Sequence, residues 1–214
     1  MITVHHLSSS RSERIVWLLE ELGIPYRLDW HQRESNRAAP AAMADIHPIG
    51  KAPIISDGDL VLAESGAIVD YIVRRYGEGR LVPRPESPQF PDYLYWLHFA
   101  EGSLMSLMLI ALVLSRVPEA KDSPVRTRIL ARMAQMLGFV DGKLAGRDYF
   151  AGPALTAADV MMVFPFTTMR RYLDYDMTPY ANIVEYLKRI EARPAYRKAM
   201  SIAGPDAPAP AQGP

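Results

Sequence analysis

A proline-rich segment divides the chain into two stretches whose hydrophobic patterns differ. Residues 81–91 contain four prolines, a density that interrupts both helices and strands. Before this segment, short runs of strand-forming residues alternate with helical periodicity, whereas only long helical periodicity follows it. The sequence therefore predicts an α/β domain over 1–80, a linker over 81–91 and an all-helical domain over 92–203. Residues 204–214 are rich in proline and glycine and are expected to be disordered.

The first 80 residues predict a small α/β layer with a mixed sheet. Apolar residues recur at helical spacing between Ile15 and Leu22, and Gly23 ends this helix. The pair Asp57-Gly58 is suited to a tight hairpin turn between two strands. The elements are predicted in the order β-α-β-α-β-β-α, with strands over 2–7, 26–30, 53–56 and 59–63, a short helix within 32–44, and a last helix from Ser65 to Gly77.

The second half predicts a bundle of helices. They are expected over 92–115, 124–144, 157–172, 180–192 and 195–200.

Two segments of the chain have the spacing of a capping box, in which a hydroxyl residue precedes an acidic residue by three positions. These pairs are Ser10 with Glu13 and Thr156 with Asp159.

Composition excludes several classes of protein. The chain has no cysteine, so thiol chemistry must use a sulfur atom of a ligand. Its 24 basic and 24 acidic residues balance, which argues against a nucleic-acid surface. The longest strongly apolar run, 107–114, is shorter than the ~20 residues that span a bilayer, and residues 1–6 do not resemble a secretory signal. We therefore expect a cytoplasmic protein that contacts neither nucleic acid nor membrane.

The five histidines show no spacing typical of a metal site. They stand at positions 5, 6, 31, 47 and 98, and no H-E-x-x-H or comparable pattern links them. We interpret all five as non-ligands and expect no metal.

The motifs, taken together and in order, resemble one family. Ser8-Ser9-Ser10-Arg11-Ser12 precedes the first helix, Ala-Pro-Ile-Ile stands at 52–55, and Glu-Ser-Gly-Ala-Ile at 64–68 opens another helix. With an all-helical second half, this arrangement resembles the cytosolic glutathione transferases, in particular their bacterial and fungal branch with a serine-type first loop. The resemblance implies a thioredoxin-like first domain, a helical second domain and a homodimer. It also implies glutathione as co-substrate without a cofactor.

The resemblance assigns the glutathione site to two segments. Pro53 is expected to be cis, so that the backbone at Ala52 meets the cysteinyl part of glutathione, and Lys51 is expected to meet the glycyl carboxylate. Ser65 is expected to bind the γ-glutamyl carboxylate and Glu64 the amine, at a helix N-terminus that favours anions. Structural alternatives stay open: a trans proline that opens an edge strand, Ser65 as a helix cap with Glu64 as a first-turn charge, and Lys51 as a solvated surface residue.

The first loop is expected to activate the thiol of glutathione. A serine hydroxyl at a helix N-terminus would donate to the thiolate and lower its pKa, rather than attack a substrate. The resemblance favours Ser9, with Ser10 next and Arg11 adding positive potential. Ser8 and Ser12 stay open. Tyrosine is absent from this loop, which departs from the tyrosine-dependent classes.

The second domain is expected to hold an apolar co-substrate. Met105, Met108, Met169 and Tyr172 are candidates for the wall of a pocket, although such residues equally suit a helix core. Glu101 is expected to face a dimer cleft. The predicted function is transfer of glutathione to a hydrophobic electrophile, with peroxidase or isomerase activity unresolved. The alternatives are a non-catalytic binding or assembly module of the same fold, and a ligandin-like carrier.

Overall fold

The computed structural model describes residues 1–209, in which four strands form one mixed sheet. The strand order is β2-β1-β3-β4; β1 runs parallel to β2, and β3 runs antiparallel to both β1 and β4. The strands are β1 (Ile2–Leu7), β2 (Tyr26–His31), β3 (Ile54–Asp57) and β4 (Leu60–Ala63).

Helices of the described residues account for most of the remaining chain. In chain order they are α1 (Glu13–Leu22), α2 (Ala42–Ile46), α3 (Ser65–Tyr76), α4 (Phe90–Phe99), a π-helical segment (Ala100–Met105), α5 (Ser106–Ser115), a 3₁₀ turn (Pro118–Ala120), α6 (Pro124–Leu144), α7 (Ala157–Phe166), a 3₁₀ turn (Thr168–Arg171), α8 (Ala181–Glu191) and α9 (Pro194–Ala203). The described residues divide into a first unit, residues 1–80 together with residues 191–209, and a second unit, Leu81–Ile190.

The sheet of the first unit is covered on both faces. Helices α1 and α3 contact each other, and they contact β1 and β4 respectively. Met43 of α2 packs with Leu7, Ile54 and Ala63, all buried, on the other face. Because side chains alternate along a strand, His5 points to the same face of the sheet as Leu7.

Helix α9 belongs to the first unit. The ring of Tyr196 meets the ring of Trp17 in α1 edge to face, with centroids 5.0 Å apart. Arg193 binds the carboxylate of Glu21, and Lys198 Nζ lies 2.8 Å from a carboxylate oxygen of Glu20. The division predicted from the sequence placed this helix in the helical domain, because an amphipathic pattern shows that a helix buries one face but not which layer it covers.

Several predicted boundaries need correction. Asp57 pairs with Leu60, so the hairpin turn is Gly58-Asp59 rather than Asp57-Gly58, and Gly58 supplies its left-handed residue at φ 60°. Helix α7 ends at Phe166 rather than continuing to 172, because Thr167 leaves the helical conformation after Pro165. Residues 210–214 of the predicted disordered tail lie outside the described residues.

One long helix runs from Phe90 to Ser115 in the second unit. Within it the π-helical segment widens the turn, and Ser106 Oγ donates to the carbonyl of Glu101, five residues earlier, at 2.7 Å. By length and composition this helix could cross a membrane, with a mean hydropathy of 1.8 in its most apolar window, of which 44% is buried within the protein. Core helices of soluble proteins meet the same criterion, so the criterion alone is weak evidence for a membrane span.

Helix α7 has the predicted capping box, with Thr156 as its N-cap. The fully buried carboxylate of Asp159 accepts four hydrogen bonds, which come from the amides of Phe150 and Thr156, the hydroxyl of Thr156 and the hydroxyl of Tyr186. Desolvation nevertheless raises the pKa of Asp159 to about 6. The box therefore connects the start of α7 to the preceding loop and to α8.

Candidate functional site

The sheet register brings three segments of the first unit to one end of the sheet. His5 pairs with Ile54, and Ile54 pairs with Ala63. The loop after β1, the residues before β3 and the residues after β4 therefore leave the sheet at the same end. Helices α1 and α3 begin there, and the N-terminus of each carries partial positive charge from its unpaired amides. This end of the sheet is consequently suited to an anionic ligand.

Burial separates the serines of the first loop. Ser10 and Ser12 are buried, 5% and 0% exposed, and their hydroxyl oxygens lie 2.7 Å apart. Ser10 Oγ also accepts from the amide of Ser12. Helix α1 begins at Glu13 with Ser12 as its N-cap, so Ser10 is not the N-cap that the predicted capping box requires. Ser9 is half-buried and adopts a left-handed conformation at φ 49°. A non-glycine residue in that conformation is uncommon and is typical of functional loops.

His6 contacts the loop after β1 through Ser12. Its Nδ1 lies 2.9 Å from Ser12 Oγ, and its ring packs 4.5 Å from the ring of Trp30. Burial, with the nearby charges of His31 and Arg33, lowers the pKa of His6 to about 4. The imidazole is therefore neutral at physiological pH and serves as a hydrogen-bonding partner of Ser12.

Arg33, which follows β2, fixes the same loop from the side. Its Nε donates to the carbonyl of Ser8 at 2.9 Å and its Nη2 to the carbonyl of Ser9 at 3.2 Å. These two bonds hold the carbonyls of the loop and bring a guanidinium beside it. No sequence motif identifies His6 or Arg33, because their partners in the loop lie 6 and about 25 positions away.

The second segment contains a cis peptide bond between Ala52 and Pro53. This is the isomer expected from the family resemblance. Pro53 is buried directly before β3, Ala52 is half-buried and Lys51 is exposed. The backbone at Ala52 therefore lies at this end of the sheet, next to the exposed Lys51.

The third segment joins β4 to α3. Glu64 is exposed and adopts φ 74°, and its carbonyl accepts the first bond of the helix from Ile68 at 2.9 Å. Ser65 is buried, 3% exposed, at the first position of α3. The arrangement places a carboxylate and a hydroxyl at the helix N-terminus.

Three of the four residues predicted to form the wall of an apolar pocket are core residues. Met105, Met108 and Met169 are 1%, 0% and 2% exposed, so they offer no surface to a ligand in this structure and behave as core residues. Tyr172 is half-buried. The second unit has a different groove, about 420 Å³ in volume, beside α4 and α6; its walls are Tyr95, Phe99, Arg132, Gln135, Met136 and Phe139.

Two histidines that the sequence predicts to be non-ligands lie beside an aspartate on the sheet. The three residues are His5, Asp29 and His31, and their ligating atoms all lie within 4.8 Å of one another. Partial burial would raise the pKa of Asp29, but hydrogen bonds from both histidines outweigh it and lower the pKa. The grouping depends on the pairing of β1 with β2, which no sequence spacing reveals.

Comparison with known proteins decides the family. Residues 1–74 match the model of the glutathione S-transferase N-terminal domain, and residues 104–194 match that of the C-terminal domain. A protein named glutathione S-transferase 3, from Schizosaccharomyces pombe, is 36% identical over 210 residues, covering 92% of this chain and 86% of that protein. The chain belongs to the glutathione S-transferase family.

Solved glutathione S-transferase structures agree with this placement. The crystal structure of a glutathione S-transferase from Actinobacillus pleuropneumoniae has a TM-score of 0.87 and 38% identity, covering 96% of this chain and 95% of that one. A glutathione transferase family member from Pseudomonas fluorescens, solved with two glutathione molecules bound, has a TM-score of 0.78 at 22% identity, covering 93% and 92%; this second likeness concerns the fold alone. The predicted family, the thioredoxin-like fold with a helical domain, and the glutathione transferase class of enzyme are thus confirmed.

Proposed function

We propose that this protein binds glutathione in residues 1–80, ionises its thiol, and transfers the resulting thiolate to a hydrophobic electrophile. The observation that carries the proposal is the convergence of three segments at one end of the sheet, where two helix N-termini meet the loop of Ser9, the residues around Pro53, and Glu64. Family membership supports the same activity.

Glutathione carries charge that this end of the sheet can complement. Ser65 and the amides at the start of α3 suit the γ-glutamyl carboxylate, and the exposed carboxylate of Glu64 suits the adjacent ammonium. Ala52 contributes backbone groups to the cysteinyl part beside Pro53. Lys51 is exposed and contributes an ammonium for the glycyl carboxylate.

The first loop supplies the thiolate with a donor. Ser9 is the leading candidate, because the hydroxyls of Ser10 and Ser12 bond to each other inside the protein. Ser10 then stabilises the conformation of the loop, and Arg11 adds positive potential beside the thiolate. In the reaction, the thiolate sulfur forms a bond to an electrophilic carbon. In a substitution, the electron pair of the bond that breaks departs with the leaving group. In an addition or ring opening, the pair stays on the adduct, which takes a proton from water.

We place the protein in the cytoplasm as a homodimer that requires glutathione but no cofactor. Tyr172 stays a candidate for the pocket that receives the electrophile, and Glu101 for a dimer cleft. The absence of cysteine from the chain means that a mixed disulfide between protein and glutathione takes no part in the mechanism.

A panel of electrophiles and hydroperoxides, assayed with and without glutathione, tests the proposal. We expect glutathione-dependent conjugation of at least one aryl halide, enone or epoxide, since each offers an electrophilic carbon to the thiolate. Oxidation of glutathione by hydroperoxides alone would indicate a peroxidase. Binding of apolar compounds without any turnover across the panel would contradict the proposal and favour a carrier.

A further inference from the structure

The cluster of His5, Asp29 and His31 has a donor set that divalent transition metals prefer. It consists of two imidazole nitrogens and one carboxylate oxygen, contributed by two neighbouring strands. His5 pairs with Asp29 across the parallel ladder, and His31 follows Asp29 by two positions on the same face. The backbone of the sheet therefore holds all three side chains in a fixed register.

The distances within the cluster are close to those of a metal site. His5 Nδ1 and His31 Nε2 lie 2.7 Å and 2.9 Å from the same oxygen, Oδ2 of Asp29. Tetrahedral zinc with bonds of about 2.0–2.1 Å would hold neighbouring ligand atoms about 3.3 Å apart. A shift of roughly half an ångström in each side chain therefore opens the hydrogen-bonded cluster to an ion.

The second nitrogen of His5 is also positioned. Its Nε2 lies 2.8 Å from Ser56 Oγ on β3. Histidines that bind metals commonly donate their other ring N–H to such a partner, which fixes the ring and its tautomer. A serine hydroxyl can either donate or accept, so Ser56 suits His5 both when its Nδ1 carries a proton and when it binds a metal.

Access to the cluster is open on one side. The side chains of His5 and His31 are 12% and 14% exposed, whereas that of Asp29 is 45% exposed. Two partly buried imidazoles thus form the inner wall, and the carboxylate faces solvent. We propose that His5, Asp29 and His31 form a binding site for a divalent transition-metal ion, typified by zinc, in which solvent completes the coordination and the ion clamps β1 to β2.

Calorimetric titration of zinc chloride into the full chain, without a histidine tag and without glutathione, tests the proposal. We expect saturable binding of one ion per chain and a rise in melting temperature, because the ion binds the folded register alone. The variants Asp29→Asn and His31→Gln should each weaken binding at least tenfold. The matched control His98→Gln changes an exposed histidine outside the cluster and should bind zinc as the parent does.

Ser56→Ala distinguishes a site from nonspecific zinc binding by histidines. Loss of the partner of His5 should weaken binding about tenfold at unchanged stoichiometry, as such partners typically contribute. Circular dichroism and glutathione binding of each variant establish that it is folded. Two results would overturn the metal site: absence of stoichiometric binding by the parent, or an affinity equal to the parent's in folded Asp29→Asn and His31→Gln. Either result would leave the proposed transferase function untouched.

Discussion

Individual serines of the first loop differ in what their hydroxyls can do. The sequence places four of them within five positions, and no spacing rule ranks them. In the structure, Ser10 and Ser12 are buried and bond to each other, and Ser12 also bonds to His6, whereas Ser9 is half-buried in a left-handed conformation. A residue that contacts a ligand needs surface, so Ser9 is favoured over Ser10 as the donor to the thiolate.

Ser9→Ala should therefore depress turnover while leaving glutathione affinity nearly unchanged. Loss of a hydrogen bond to a charged group is worth about 1.5–3 kcal/mol, so we expect at least a tenfold fall in turnover at neutral pH. The bound thiolate should show a raised pKa, and the defect should shrink as the pH rises and the thiol ionises without help. Absorbance of the thiolate against pH measures this directly.

Ser10→Ala serves as the matched control for Ser9→Ala. It removes a buried hydrogen bond, so its main effect should be a lower melting temperature. If the thiolate titrated normally in Ser9→Ala and abnormally in Ser10→Ala, the assignment of the two serines would be reversed.

Among the elements, α7 shows how a short motif can be read correctly from the sequence. Thr156 and Asp159 form the expected capping box. The same spacing at Ser10 and Glu13 does not predict the cap correctly, because α1 begins at Glu13 and its N-cap is Ser12. Spacing identifies residues that can form a cap, and tertiary contacts decide whether they do.

Asp159→Asn should destabilise the fold, with a deficit that depends on pH. The side-chain amide brings two N–H donors into a buried site whose partners are themselves donors, so we expect a loss of about 1–3 kcal/mol. Burial raises the pKa of Asp159 from 3.8 to about 6, so the folded protein holds this proton more tightly than the unfolded chain does. The stability that this carboxyl contributes is therefore greatest at acidic pH and falls as the pH rises through 6.

Melting curves of the parent and of Asp159→Asn between pH 4 and pH 7 measure this effect. Because the variant lacks the titrating group, its deficit should narrow as the pH rises. A deficit that widened with pH would show instead that folding favours the ionised carboxylate.

For the whole molecule, the order of elements, the cis bond before Pro53 and the helix start at Ser65 could be predicted, because they follow from local patterns and a family resemblance. Long-range contacts could not. The packing of α9 on α1, the clamp of Arg33 on the loop of Ser9, and the grouping of His5 with Asp29 and His31 all join residues at least 24 positions apart. The burial of Met105, Met108 and Met169 likewise depends on packing that helical spacing does not define.

We predict a homodimer that uses the exposed apolar side of α5. Leu109, Ile110 and Val113 are 40%, 49% and 61% exposed on this helix, and a contiguous exposed apolar patch commonly marks a protein–protein interface. Sedimentation at micromolar concentration should give twice the chain mass of 24.0 kDa. Val113→Glu should dissociate the dimer, whereas Val125→Glu, at a comparably exposed valine of α6, should leave it intact. A parent that sediments only as a single chain would contradict the prediction.

The central claim is that the end of the sheet where α1 and α3 begin binds glutathione. Calorimetric titration of glutathione into the full chain tests it most directly, with Glu64→Gln as the site variant. The matched control is Glu78→Gln, which changes an exposed glutamate beyond the other end of α3. We predict one glutathione per chain, a loss of about tenfold or more in affinity for Glu64→Gln, and parental affinity for Glu78→Gln. If saturating glutathione gave the folded parent neither a heat of binding nor a higher melting temperature, that result would contradict the account.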